Sequence, residues 1–179
     1  VYIFKHLLVA QFGMRQGFQG LIENEIENAK MGKPSAITIK INSLEDERII
    51  KKLYEASTAG VKVNMIVRGI CCLIPGLKDM STNISGISIV DRYLEHDRVY
   101  IFHNNGNEKI YLSSADWMKR NLSRRIEVAF PIYNKDLKKL VKDIVDIKFT
   151  DNVKARVIDE KQINGYRNQE GSDLHRSQY

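Results

Sequence analysis

The first seventy residues alternate strand-like and helix-like patterns, and this alternation constrains the fold more than any other feature of the sequence. The strand-like segments are HLLVA, SAITIKIN and VKVNMIV. Between them, apolar side chains recur with a 3.6-residue period from Phe18 to Ala29 and from Ile49 to Tyr54, which predicts two amphipathic helices. The order β-α-β-α-β predicts a parallel sheet with helices packed on it.

Capping and helix-terminating residues predict where these two helices begin and end. Gly32 and Pro34 follow the first periodic segment and predict its end. Ser43 stands before the acidic run Glu-Asp-Glu and is the predicted N-cap of the second helix, which should end at Gly60.

The pattern changes after residue 70, where short β-branched and aromatic runs are separated by turns. Asn105-Gly106 is a strong hairpin signal, so RVYIF and KIYLSS should pair antiparallel. Asn134 is the predicted N-cap of a last helix, and VKARVID is a last strand candidate. The apolar stripe of that helix should comprise Leu137, Leu140, Val141, Ile144 and Val145. A mixed sheet flanked by helices is therefore expected.

Composition fits one α/β domain over residues 1–160, followed by a polar tail, 161–179, that we expect to be loosely held. No apolar run approaches the ~20 residues that span a bilayer, and no signal peptide is visible. The net charge of +6 is spread along the chain without a basic arm, which argues against a simple electrostatic nucleic-acid tail, and no nucleic-acid partner is expected. The adjacent Cys71 and Cys72 favour a reducing compartment and are predicted to be small buried residues. Because the chain opens on Val1 and a strand-like run, we expect it to be a piece of a longer protein.

His96 is the first candidate site residue. It lies in DRYLEHDRVYIF, and Arg98 follows two positions later, on the same face of an extended chain, so both side chains could meet one phosphate. Ser113, Ser114 and then Asp116 lie at the end of the second hairpin strand, and antiparallel pairing could bring the two serine hydroxyls back towards His96. The alternative is a solvated histidine at a strand end, satisfied by Glu95 or Asp97.

Arg68 is the second candidate, because it directly follows the strand VKVNMIV. Ligands of open α/β sheets gather beyond the carboxyl ends of the strands, and Lys40 and Asn42 end the preceding strand in the same region. Arginine offers a planar fork for phosphate oxygens and lysine a point charge. The alternative for Arg68 is a surface arginine paired with an acidic neighbour. A third basic cluster is interpreted mainly as a solvated face: Arg120, Arg124 and Arg125.

Glycine-rich phosphate cradles are absent, since the sequence has neither GxxxxGK[ST] nor a GxGxxG after a strand. The pattern H-x-[KR], a hairpin and then S-[SG]-x-[ND] instead resembles the phospholipase D superfamily motif. More narrowly, ITIKINSLED, NMIVRGICCLIPG, ISIVDRYLEHDRVYIF, YLSSADWMKRN and DNVKARVID resemble the C-terminal part of bacterial polyphosphate kinases. The resemblance extends from about His6 to Asp159.

This resemblance implies a phospholipase D-like fold, with the H-x-R motif on the antiparallel hairpin. It implies the second half of the catalytic core of a multidomain, homo-oligomeric kinase, cytoplasmic and able to associate peripherally with the inner membrane. Such an enzyme moves the terminal phosphoryl of ATP reversibly onto polyphosphate, with Mg²⁺ bound mainly outside this chain and no metal ligand within it. By motif, Arg68 would bind nucleotide phosphates and His96 would be the second active-site histidine. Arg98 and Lys40 are added as phosphate-binding residues on position alone.

Two departures from the phospholipase D pattern make a phosphodiesterase less expected. Arg98 stands where that pattern has lysine, and His103 stands where it has aspartate. The half that would carry the phosphorylated histidine is missing, so we predict that the chain alone does not turn over ATP. Two alternatives remain open: a phospholipase D-like phosphodiesterase or nuclease that acts as a dimer, and a non-catalytic anion-binding domain.

Overall fold

The computed structural model describes residues 4–167 and 173–179. The strands are β1 (Leu8–Val9), β2 (Ala36–Ile41), β3 (Lys62–Val67), β4 (Ile84–Ile89), β5 (Val99–Phe102), β6 (Lys109–Ser113), β7 (Val128–Ile132) and β8 (Ala155–Ile158). The helices are α1 (Met14–Lys30), α2 (Glu47–Thr58), α3 (Lys119–Ser123) and α4 (Lys135–Phe149).

These strands form one open sheet in the order β1-β7-β6-β5-β2-β3-β4-β8. β2 and β3 are parallel, as the β-α-β-α-β pattern predicted, and β4 is parallel to β3. The prediction is wrong for the first strand, because β1 lies at the edge of the sheet and pairs antiparallel with β7. β5 and β6 pair antiparallel with Val99 opposite Leu112, and β5 also lies antiparallel to β2. The predicted mixed sheet and its hairpin are confirmed.

Strand alternation assigns the two faces of the sheet. Ile37, Ile39 and Ile41 of β2 pack with buried residues of α1 and α2 in the larger core. The opposite face packs against α4, where Val99 of β5 contacts the same small core as Val145. Lys40 lies opposite Val99 in the β2–β5 register, so its side chain is on the α4 face.

The sequence predicted the N-caps of α2 and α4, one wrongly and one correctly. The Ser43 prediction is wrong: the cap of α2 is Asp46, whose Oδ1 accepts from Ile49 N at 3.2 Å. The helix begins later because Leu44 first forms bridges with Cys71 and Trp117, which hold the backbone extended. Asn134 caps α4 as predicted, accepting from the backbone N–H groups of residues 136 and 137.

The predicted apolar stripe of α4 is packed only in part, through Val141 and Val145. Leu137, Leu140 and Ile144 are about half exposed, whereas Val145 is buried. The reason is that α4 approaches the sheet with a side that carries lysines, which reach acidic groups below the helix. Lys142 pairs with Glu108, and Lys148 pairs with Glu95; Lys138 donates to the backbone carbonyl of Glu108.

The cysteine prediction also needs correction, because Cys72 is exposed and Cys71 is only half-buried. Their loop is fixed through its backbone, with Cys72 N donating to Leu44 O at 2.8 Å. Burial nevertheless raises the pKa of the Cys71 thiol to about 11.

The described part of the tail makes specific contacts near its end. Arg176 pairs with Asp91, and Ser177 donates to Asp151 through both its backbone N–H and its hydroxyl. Residues 168–172 lie outside the described residues, and the domain boundary at 160 stays a prediction. Within residues 4–167 and 173–179, no helix is both long and apolar enough to cross a membrane.

Candidate functional site

The candidate site lies at the edge of the sheet where the parallel strands β2, β3 and β4 end. Asn42 follows β2, Arg68 follows β3, and residues 90–98 connect β4 to β5 across this edge. Side chains that leave neighbouring parallel strands converge here for the same reason that ligands of open α/β sheets bind here.

His96 and Arg98, which their i, i+2 spacing placed on one face, are in direct contact. Arg98 Nη2 lies 2.8 Å from His96 Nε2, and Arg98 Nη1 donates to the His96 carbonyl at 3.1 Å. A guanidinium only donates, so Nε2 is the acceptor and the ring proton sits on Nδ1. The imidazole is exposed, so its Nδ1–H is free to meet an anionic oxygen.

Asp116 connects this pair to Arg68. Its Oδ2 accepts from Arg98 Nη2 at 3.0 Å, and its Oδ1 accepts from the backbone N–H of Asn42 at 2.8 Å. The amide oxygen of Asn42 then accepts from Arg68 Nε at 3.0 Å. The structure therefore brings His96, Arg98 and Arg68 into one continuous hydrogen-bond network.

The serines after the hairpin do not turn towards His96, contrary to expectation. Ser113 Oγ donates to Val128 O at 3.0 Å and Ser114 Oγ donates to Glu127 at 2.5 Å, so both hydroxyls face the start of β7. Only Asp116 returns to the site. The third basic cluster, Arg120, Arg124 and Arg125, is exposed.

Lys40 lies below the site, with its side chain 4% exposed. Its Nζ is 2.6 Å from Asp97 Oδ1 and within 3.4 Å of the carbonyl oxygens of Glu95 and Asp97. Burial lowers the pKa of Lys40, and the hydrogen bond that Lys40 donates to Asp97 opposes that shift. Its assignment as a phosphate ligand stays a prediction.

Lys148 is a neighbour of the site that the sequence analysis did not single out. Its Nζ lies 2.5 Å from Glu95 Oε1, and its side chain is 8% exposed. The signal was present in the spacing, because Val141, Val145 and Lys148 follow one another at intervals of four and three residues, which places Lys148 on the packed side of α4.

His103, at the position where the phospholipase D motif has aspartate, serves the hairpin turn. Its Nδ1 accepts from Gly106 N at 3.1 Å. No group of three or more His, Cys, Asp or Glu side chains among the described residues could hold a metal ion. The nearby carboxylates Asp97 and Asp116 are already engaged by Lys40 and Arg98, so the site does not fit a resident Mg²⁺.

Comparison with known proteins places this geometry in a family. The family model for polyphosphate kinase C-terminal domain 2 matches residues 7–178. A polyphosphate kinase of Vibrio parahaemolyticus is 54% identical over 163 residues, which cover 91% of this chain and 23% of the relative. The chain thus spans about a quarter of the length of the curated relatives it matches.

Two solved structures resemble this chain, one closely in sequence and fold and the other in fold alone. The polyphosphate kinase of Porphyromonas gingivalis superposes with a TM-score of 0.95 at 46% identity, covering 98% of this chain and 27% of that one. The phospholipase D family member Nuc of Salmonella typhimurium superposes with a TM-score of 0.61 at 17% identity, covering 86% of this chain and 97% of Nuc, a likeness of fold alone. The chain belongs to the polyphosphate kinase family and corresponds to the part described as its C-terminal domain 2.

Proposed function

We propose that this chain is the C-terminal half of the catalytic core of an ATP:polyphosphate phosphotransferase. Its role is to bind the phosphates of ATP, ADP and polyphosphate and to supply the second active-site histidine. The observation that carries the proposal is the network that joins His96, Arg98, Asp116, Asn42 and Arg68 at one sheet edge, in a chain of this family.

The chemistry of these side chains suits phosphoryl transfer. Arg68 is half-buried and donates only through Nε in its bond to Asn42, so the outer nitrogens of the fork are open to phosphate oxygens. His96 presents its Nδ1–H to solvent, which fits a group that stabilises or protonates a bridging oxygen. Arg98 and Asp116 hold the imidazole in place.

Other parts of the proposal concern the whole enzyme. Mg²⁺ would arrive with the nucleotide or bind residues outside this chain, and no step here depends on it. Homo-oligomerisation, a cytoplasmic location and peripheral attachment to the inner membrane belong to the longer protein. The chain alone should not turn over ATP, because it lacks a second histidine motif.

Calorimetric titration of the chain with ATP and with medium-chain polyphosphate tests the proposal. Arg68→Ala and His96→Ala should each weaken binding about tenfold or more, because each removes a charge-assisted contact worth roughly 1.5–3 kcal/mol. Arg125→Ala, at an exposed arginine of the third cluster, is the matched control and should leave the affinity unchanged.

Three results would contradict different parts of it. Equal affinity of Arg68→Ala, His96→Ala and the wild type would remove these residues from the site. Absence of binding by the wild type would show that the half-site is not preformed in this chain, and the same variants would then be compared in the full-length protein. Steady hydrolysis of a phosphodiester by a dimer of the chain would favour the phospholipase D-like alternative.

A further inference from the structure

The segment that carries His96 has no regular secondary structure. It connects Ile89 at the end of β4 to Val99 at the start of β5, and its backbone is not part of the sheet. Its shape is therefore set by side-chain contacts from neighbouring elements. His96 itself is exposed, so packing of its own ring does not fix it.

Two buried lysines contact the residues on either side of His96. Lys40, from β2, binds the Asp97 carboxylate and the carbonyl oxygens of Glu95 and Asp97. Lys148, from α4, binds the Glu95 carboxylate. The sheet and the helix thus each place one ammonium group against the residues that flank His96, Lys40 through backbone and carboxylate oxygens and Lys148 through a carboxylate.

The contacts of Lys40 leave little capacity for a ligand. An ammonium group has three N–H donors, and Lys40 Nζ has three acceptors within 3.4 Å. Its side chain is 4% exposed, beneath the segment rather than on the open edge of the sheet. These contacts suit a group that holds His96 in position better than a group that touches phosphate.

Buried charges are costly, and apolar residues of similar volume often replace such pairs without loss of stability. Here the two ammonium groups are buried while their partners Asp97 and Glu95 are partly exposed, so two adjacent buried lysines need a reason other than stability. Both pairs act on the backbone that presents His96, and they act from two different elements. Contacts from both β2 and α4 fix the position and orientation of the His96 segment relative to the sheet.

We propose that Lys40 and Lys148 are positioning residues that hold the His96 segment in the geometry that receives a phosphate group. The proposal rests on the proposed function and replaces Lys40 as a phosphate ligand. Without the two lysines the segment would sample several conformations, only some of which bind. The apparent affinity falls in proportion to the competent fraction, so a tenfold smaller fraction raises the dissociation constant about tenfold.

The test uses Lys40→Met and Lys148→Met, which keep the apolar stem and remove the charge. Histidine-labelled chain is observed by NMR, and the His96 signals are identified by their loss in His96→Gln. We expect the His96 signals to broaden or split in both variants and the ATP dissociation constant to rise about three- to tenfold. Lys148→Arg, which can still pair with Glu95, should restore a single His96 signal.

Lys142→Met is the matched control, because it removes the pair with Glu108 from the same helix but does not touch the segment. It should leave the His96 signals and ATP binding unchanged. If a methionine variant does not fold, Glu95→Gln and Asp97→Asn weaken the same contacts from the more exposed partner and give the same readout.

The outcomes separate this inference from the proposed function. Unchanged His96 signals in folded Lys40→Met and Lys148→Met would overturn the positioning role, whatever the affinity for ATP. Altered His96 signals in a chain whose wild type binds neither ATP nor polyphosphate would support the positioning role while contradicting a preformed phosphate site. Equal changes in Lys142→Met would also overturn it.

Discussion

Asp116 is the residue on which the geometry of the candidate site depends. It is buried, and it accepts from Arg98, from the backbone N–H of Asn42 and from that of Ser43. It therefore ties the hairpin to the end of β2 and sets where Arg98 holds the imidazole. A carboxylate at this position satisfies two backbone donors and one guanidinium at once.

We predict that Asp116→Asn destabilises the fold by about 3 kcal/mol, because it leaves the largely buried Arg98 guanidinium without its counter-charge. Urea denaturation followed by Trp117 fluorescence measures the free energy of unfolding. Asp143→Asn is the control, since it breaks an exposed pair with Lys139 and should cost less than about 1 kcal/mol. Equal losses in the two variants would show that Arg98 is satisfied without Asp116.

For single residues, the sequence predicted which residues lie near His96 better than it predicted where their side chains point. The spacing placed His96 and Arg98 on one face but did not predict their mutual hydrogen bond, and the hairpin was expected to return the serine hydroxyls, whereas Asp116 is the residue that reaches Arg98. The serine hydroxyls turned elsewhere because buried Glu127 and the Val128 carbonyl offered acceptors that no local pattern reveals. Ion pairs between residues distant in sequence could not be predicted either, because no local pattern reveals the partner.

Among the elements, α4 shows how an amphipathic pattern can mislead. Its apolar positions divide between two sides: Val145 is buried against the sheet, whereas Leu140 and Ile144 remain about half exposed. Lysines occupy much of the packed side because Glu108 and Glu95 lie beneath the helix. Periodicity located the helix and its Asn134 cap, but could not choose which side meets the sheet.

Neighbouring residues of α4 test this orientation. Val145→Ala should lower the free energy of unfolding by about 1–2 kcal/mol, because it leaves a cavity beside Val99 and Ile101. Ile144→Ala should change it by less than about 0.5 kcal/mol, since its side chain is 45% exposed. Thermal or urea unfolding of both variants measures the two losses of stability. A larger loss in Ile144→Ala than in Val145→Ala would place the exposed part of the apolar stripe against the sheet.

The parallel part of the sheet was the most predictable element of the fold. β2 and β3 lie where alternation and apolar runs placed them, and β5 and β6 pair as the Asn105-Gly106 turn required. The start of α2 was not predictable from Ser43, because bridges of Leu44 to two distant segments delay the helix until Asp46. A residue that could cap a helix does not do so when pairing with distant segments holds the same stretch of backbone extended.

Across the whole molecule, the end of the chain returns to the segment that carries His96. Arg176 pairs with Asp91, Gln178 exchanges hydrogen bonds with the backbone of Tyr93, and Tyr179 OH accepts from Arg92. Asp151, at the end of α4, accepts from Ser177. The polar composition of the tail predicted none of these contacts, because each depends on a partner distant in sequence.

The Asp91–Arg176 pair makes a pH-dependent contribution to stability. The hydrogen bond from Arg176 lowers the pKa of Asp91 to about 2, and Lys154 adds to that shift. A carboxyl group whose pKa is lower in the folded chain stabilises it above the ordinary value near 4. That contribution is lost as the pH falls from about 4 to about 2, because the folded state must then accept the proton that the unfolded chain has already bound.

Urea unfolding between about pH 5 and pH 2.5 should therefore show a steeper loss of stability in the wild type than in Asp91→Asn. The variant is less stable at pH 5, because it has already lost the ion pair, and the two curves converge towards acid. Asp143→Asn, which removes an exposed carboxylate from α4, is the control and should retain the wild-type slope. Parallel curves for Asp91→Asn and the wild type would mean that Arg176 does not hold Asp91 in solution, and the tail would then not be tied to the His96 segment through this pair.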